Sequence, residues 1–314
     1  MPKVTIAVPT YNREEYLKEC IQSILNQSFN DFQIIVFDNC SDYNIEKLLE
    51  GFEDDRIKLT KNKTNLGNFG NFKKIFNYCF DTEYLVIFHD DDAMHPLLLE
   101  KEVGLLEKNS NAVFVATGLK FIKNHKKIND FTKEKKRSKP YFFNNKASLI
   151  KLIFSDFDLC YDSVMYRTNV IEDSQYFYDK FFKWADRPYL INLIEKGKAI
   201  VLKERLVNYR IHKGQDIQSS PLGKNDYLFN LFLFYKENLF QPLSKKDKKL
   251  FYSFSTNHLI LSGLYFSKNW KEYKEFLKKA KTKDIFKLQY LNLRGIYYFL
   301  KVLKKLFLHK NEQE

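Results

Sequence analysis

An α/β fold, a mostly parallel sheet flanked by helices with a helical C-terminal region, is predicted by two observations. Short apolar runs alternate with stretches of helical periodicity over the first ~120 residues, and four of those runs end in clustered polar residues. The first run, KVTIAVPT, reads as a strand. REEYLKECIQSILNQ then sets Leu17, Cys20, Ile21, Ile24 and Leu25 at i, i+3, i+4, i+7 and i+8, the pattern of a helix that buries one face. FQIIVFDN is the second strand, followed by a helix near Ile45–Phe52, a strand at RIKLT, a helix around Phe69–Phe80 and the strand YLVIF. A helix from Pro96 to about Glu107 and the strand AVFVATGLKFI complete this rhythm.

Lys123–Lys139 is polar and basic with little periodicity, as expected of a surface loop. Beyond it come a helix near Lys146–Phe154, the strand SVMYR, a helix from about Arg187 to Glu195, and strands at AIVL and LVNYRI. We divide the chain at residues 1–222 and 223–314, the second part being helix-rich and basic. The last helix expected, LRGIYYFLKVLKKLFLHK, places Ile296, Phe299, Leu300, Leu303 and Phe307 on one face and Arg294, Lys301 and Lys305 on the other. Such a helix either packs on the domain or binds an anionic membrane surface, and the pattern does not separate the two.

The 314 residues carry a net charge of +13, and 44% of them are hydrophobic, enough for a large core. Residues 224–314 hold 19 Lys/Arg against 8 Asp/Glu, so the excess is C-terminal and the first two-thirds are nearly neutral. That distribution argues against a nucleic-acid-binding main body. The four cysteines form no CxxC pair, which excludes a recognisable zinc motif and fits a reducing, cytoplasmic compartment. Neither a signal-peptide pattern nor a membrane-spanning run is expected.

In parallel α/β sheets ligands bind beyond the carboxyl ends of the strands. Those ends carry Pro9, Thr10, Tyr11, Asn12 and Arg13; Asp38 and Asn39; Asn65, Gly67 and Asn71; and Asp90, Asp91 and Asp92, which should open onto one crevice. Taken singly each has a structural alternative: Thr10 or Asn12 as a helix cap, Asp38 as a turn residue, the aspartates as caps for the helix after Pro96. NLGNFGN has neither dinucleotide-fold nor P-loop spacing. Three adjacent carboxylates repel one another, and burial raises their pKa values unless a cation compensates. Oxygen ligands favour Mg²⁺ or Mn²⁺ with a substrate diphosphate, and D-x-D-x-D-G spacing for calcium is absent.

VPTYNREEYLKECIQSILNQSF, IIVFDNCSD, NLGNFGN and FHDDDAMHP in succession resemble the inverting nucleotide-sugar glycosyltransferases of family 2, of GT-A fold. The likeness covers residues 3–107 and continues more weakly through SVMYR, WADRPYLINLIEKG and NYRIH. It implies that Pro9, Tyr11 and Arg13 line a nucleotide pocket, that Asp38 binds the uracil or ribose side, and that Asp91, with Asp90, holds the metal. Asn65, Gly67, Asn71 and Thr10 join the donor pocket in this reading. Asp186 matches the general base, with Ala185 where a glutamate is common. His89 replaces an aspartate frequent in the family, and His212 lies where some relatives make a phosphate or acceptor contact.

The expected activity is metal-dependent, inverting, non-processive transfer of one sugar from a nucleotide sugar, UDP being the leading nucleotide. The acceptor is a hydroxyl of a surface-glycan precursor or lipid-linked oligosaccharide at the cytoplasmic membrane face. No Q-x-x-R-W motif of processive synthases is present. The alternatives are a polyanion- or nucleic-acid-binding protein and a sugar nucleotidyltransferase.

Overall fold

The computed structural model describes residues 1–123, 128–131, 138–155, 157–171, 175–212, 225–239, 241–267, 269–293 and 295–300. Among them nine strands form one sheet in the order β3-β2-β1-β4-β8-β6-β9-β5, with β7 also paired to β9. The first half follows the predicted βα alternation: β1 (Val4–Thr10), α1 (Glu14–Leu25), β2 (Phe32–Asp38), α2 (Ile45–Glu50), β3 (Ile57–Lys61), α3 (Gly67–Phe76) and β4 (Tyr84–Ile87). β3, β2, β1 and β4 are mutually parallel. β1, β2 and β4 are buried throughout, which is why their sequences are almost unbroken apolar runs.

The second half is mixed rather than parallel. After β5 (Ala93–Met94), α4 (Leu98–Glu107), β6 (Ala112–Ile122), β7 (Tyr141–Phe143) and α5 (Lys146–Phe154) comes β8 (Val164–Arg167), antiparallel to both β4 and β6. α6 (Gln175–Phe181) and α7 (Asp186–Leu193) lead to β9 (Lys198–Arg210), which is parallel to β6 and antiparallel to β5 and β7. The two strands expected at AIVL and LVNYRI are therefore one 13-residue strand. Its pairing with β6 shifts register beside Gly118, where an added Cβ would lie 3.1 Å from the Glu204 carbonyl oxygen. The missing side chain lets the two backbones approach at this bulge.

Two apolar layers cover the sheet. Val4, Ile6 and Val8 of β1 join Phe32, Ile34 and Val36 of β2 beneath Leu17, Ile21 and Ile24 of α1 and Leu98, Leu99 and Val103 of α4. Ala7, Ile35 and Phe37 point the other way, as the two-residue period of a strand requires. The second layer includes α5, α6 and α7 and continues into α8 (Asn225–Glu237), α9 (Lys245–Phe266) and α10 (Trp270–Thr282). No helix among the described residues is long and apolar enough to cross a membrane. Of the last helix expected, at 293–310, residues 294 and 301–310 lie outside the described residues; 293 and 295–300 are helical. Most of the Lys123–Lys139 stretch also lies outside them.

Candidate active site

Sheet direction brings the chemistry to one edge. β1, β2 and β4 end there; β8 runs the opposite way, so its start adjoins the end of β4; β9, aligned with β6, ends there too. The aspartate turn follows β4. Thr10 donates from its hydroxyl to Asp90 at 2.7 Å, and Arg13 Nη1 bridges Asp90 (2.9 Å) and Asp91 (3.1 Å). From the end of β9, His212 Nε2 lies 2.8 Å from Asp91 Oδ2. Arg210 is fully buried; its Nε donates to the Asp91 carbonyl oxygen at 2.6 Å and its backbone N–H to Asp92 Oδ1 at 2.8 Å. The Arg210 guanidinium also pairs with Glu19 of α1 and lies over the Tyr16 ring, 4.4 Å from its centroid.

The remaining predicted residues fall into two groups. Pro9 is buried in β1 opposite Phe37, whereas Tyr11 is 40% exposed at the mouth. Asn12 takes up a left-handed conformation, which asparagine tolerates, and turns the chain from β1 towards α1. Asp38 is buried and accepts the Ser41 N–H. Asn65, Gly67 and Asn71 are joined to the β2 end by side-chain amides. Asn39 Nδ2 donates to Asn65 Oδ1 and to the Gly67 carbonyl; Asn62 donates to both Asn39 and Asn71; Asn71 donates to the Phe37 carbonyl. Asn71 thereby uses both ends of its amide inside the fold, and Gly67 supplies the positive φ of +72° the loop requires.

Asp162 belongs to none of the sequence motifs that mark the site. It is fully buried just before β8, accepts the His89 backbone N–H at 3.1 Å and lies 2.8 Å from His89 Nδ1. The available signal is its place immediately before SVMYR, but strand direction decides whether a strand's start or its end reaches the site. Asp186 is the first residue of α7; Ala185 occupies the N-cap position, and the Asp186 carboxylate accepts the Arg187 N–H at 2.8 Å. An aromatic cluster of Phe76, Tyr161 and Tyr189, with ring centroids 5.2–5.9 Å apart, joins α3, the turn carrying Asp162 and α7.

Charge is concentrated here at low solvent exposure, and each group responds differently. Burial, reinforced by Asp91, pushes the Asp90 carboxyl up to about 6 against the pull of Arg13. Burial also opposes charge on Asp91, but the His212 hydrogen bond and the His89 and Arg13 charges outweigh it and hold its carboxyl below the usual range. Burial and the neighbouring Asp162 drive Asp92 well above that range, and its Oδ2 has no hydrogen-bond partner among the described residues. For His89, burial favours the neutral ring, yet Asp162 prevails and raises it to about 10. Asp186 is raised to about 6, chiefly by burial, with Arg187 opposing.

The arrangement sets buried carboxylates against Arg13, Arg210 and His89 at one sheet edge, with a separate carboxylate, Asp186, at a helix start. The chain matches glycosyl transferase family 2 over residues 5–174 and belongs to that family. It is 31% identical over 219 residues to an uncharacterized glycosyltransferase of Methanocaldococcus jannaschii, covering 67% of this chain and 71% of that protein. It is 25% identical over 283 residues to the GalNAc(5)-diNAcBac-PP-undecaprenol beta-1,3-glucosyltransferase of Campylobacter jejuni, covering 88% and 87%. In three dimensions it resembles Staphylococcus aureus TarS 1–349, solved in complex with UDP-GlcNAc, with a TM-score of 0.60 at 15% identity over 99% of this chain and 92% of that one. The fold is thus of the GT-A type, and the chain is a glycosyltransferase.

Proposed function

We propose that the protein transfers a single sugar, with inversion, from a nucleotide sugar to a hydroxyl group of a glycan precursor on a lipid carrier. The observation that carries this reading is the convergence of Asp90, Asp91, Arg13 and His212 at one sheet edge, with Asp186 opening α7, whose Tyr189 packs on Tyr161, the neighbour of Asp162. The donor nucleotide is UDP, supported by the UDP-GlcNAc bound to the TarS neighbour. The lipid-linked acceptor is supported by the name of the Campylobacter relative. Residues 1–222 carry the transfer site and 223–314 add helices that share its core, working at the cytoplasmic face of the membrane.

The residues fit a divalent cation. Burial and then Asp91 make Asp90 resist ionising, and Asp92 Oδ2 is a buried oxygen with no hydrogen-bond partner among the described residues and His89 Nδ1 3.9 Å away, so the turn has carboxylate oxygen to offer a cation. Asp91, with Asp90, would hold Mn²⁺ or Mg²⁺, whose charge supports a departing nucleoside diphosphate when bound. Arg13 adds a fixed cation on the same side, and His212 an imidazole held against Asp91. Tyr11 and Asp38 line the nucleoside end, with the Asn65–Asn71 loop shaping its wall. Asp186 removes the proton from the acceptor hydroxyl as that oxygen attacks the anomeric carbon, and one displacement inverts the centre.

The test is nucleoside diphosphate release from a panel of nucleotide sugars with Mn²⁺ or Mg²⁺, preceded by melting curves to find the ligands that stabilise the fold. Asp91→Asn and Asp186→Ala should each abolish release. Parent-like rates in both variants would refute the site, and pyrophosphate as the product would indicate nucleotidyl transfer instead.

A further inference from the structure

An apolar stripe near the C-terminus stays in solvent. Leu288, Leu293, Ile296, Tyr297 and Leu300 are all exposed, Leu293 at 85% and Leu300 at 57%. Residues 295–300 are helical, and 293, 296, 297 and 300 follow the i, i+3, i+4, i+7 spacing of one face. The opposite side is used for packing: Tyr298 and Phe299 lie against the core, and Gly295 is pressed so closely onto Asn257 of α9 that a Cβ would overlap its side chain. Tyr290 stacks on Tyr252, and the Lys287 N–H donates to Thr256, so the segment is anchored on α9 with its stripe outward. The expected apolar face therefore divides, with Phe299 turned inward and Ile296 and Leu300 turned outward.

α10 also packs on α9, through Tyr273 and Phe276 against Gly263. It exposes Lys271, Lys274, Lys278, Lys279 and Lys281 against one exposed acid of its own, Glu275, with Lys279 paired to Asp226 and Lys274 over the partly exposed Trp270 ring. Three partners differ in what they use. A second copy of the chain would bring the same lysine-rich charge against itself, and a nucleic acid would engage the lysines while leaving the leucines in water. An anionic bilayer uses both, since apolar side chains enter the headgroup boundary while lysines meet lipid charge.

We propose that the 288–300 stripe, together with α10, is a docking surface for an anionic phospholipid bilayer. Its purpose, delivery of the site to a lipid-linked acceptor, rests on the function proposed above, but its test involves no sugar transfer, so either can fail alone. The full chain is sedimented with phosphatidylcholine vesicles with and without phosphatidylglycerol. Binding should require phosphatidylglycerol and weaken with salt. The triple variant Leu293→Glu, Ile296→Glu, Leu300→Glu should lose at least about tenfold in partitioning with an unchanged melting temperature. Lys271→Glu with Lys274→Glu, which leaves the stripe intact, should weaken binding too. Absence of parent binding, equal partitioning of the triple variant, or a dimer that Leu293→Glu dissociates would each overturn the proposal.

Discussion

Asp186 shows how one carboxyl is tuned by where it sits. Burial lifts it to about 6 while Arg187 limits the rise, so it is a stronger base than an exposed aspartate yet ionised at neutral pH. A base acts only when deprotonated; transfer should therefore rise with pH through about 6 and then level off. Asp186→Asn should lower kcat by about 10²- to 10⁴-fold while nucleotide sugars still raise the melting temperature. An unchanged rate would place the base elsewhere. Glu102 makes the opposite point. It is fully buried in α4, neither carboxyl oxygen has a hydrogen-bond partner among the described residues, and burial holds its pKa well above 4.5. For an acid raised in the folded state, the favourable contribution is complete below the unfolded pKa and is lost as pH climbs towards the folded value. Glu102→Met should accordingly stabilise the protein at pH 7 by about 1–3 kcal/mol, with the gain shrinking near pH 4 in denaturant titrations. An equal gain at both pH values would show that ionisation is not the cause.

Elements, not isolated residues, explain which parts of the site could be read in advance. β1, β2, β4 and α1 are legible because central strands are continuous apolar runs and α1 buries one helical stripe. The two-residue β5, the three-residue β7 and the seven-residue α6 are too short to show a period, and each depends on pairing or packing with distant parts of the chain. The aspartate turn is visible in the sequence, as are Thr10, Arg13 and His212 that bond to it, but Asp162 and Arg210 are not. Asp162 reaches it only because β8 is antiparallel to β4, and Arg210 only because β6 and β9 carry their far ends to the same edge. Arg210 holds the turn through the Asp91 carbonyl while its backbone fixes Asp92. Arg210→Met should weaken Mn²⁺ binding by about 10- to 100-fold, measured by calorimetric titration, as loss of a group that orients ligands does. Unchanged affinity would leave Arg210 a packing residue alone. Asp162→Asn removes the charge facing His89 and should raise KM for the donor more than it lowers kcat; a pure kcat effect would contradict a role in shaping the pocket.

At the scale of the whole molecule, the basic C-terminal third does not behave as its composition suggests. Net charge is a surface property, and it changes abruptly near residue 224, but the apolar layer beneath it does not. Phe229 and Phe232 of α8 and Phe251 and Phe254 of α9 belong to the same buried cluster as Phe154 of α5, Phe181 of α6 and Tyr189 of α7. Phe154 lies 4.5 Å from Phe254 between ring centroids, Phe181 lies 5.5 Å from Phe234, and Lys151 of α5 pairs with Asp247 of α9. Tyr189 and Leu190 of α7, the helix that opens with Asp186, belong to that same cluster, so the helical layer also backs the element carrying the candidate base. Cutting the chain after residue 222 would expose these faces, and an apolar surface of that kind drives aggregation or loose packing. The 1–222 fragment should therefore bind a hydrophobic dye, lose its cooperative melting transition and release no nucleoside diphosphate. A fragment that melts cooperatively and turns over donor at the parent rate would show that the C-terminal helices serve location alone. A fragment that melts cooperatively but is inactive would assign them to holding α7 and Asp186 in place.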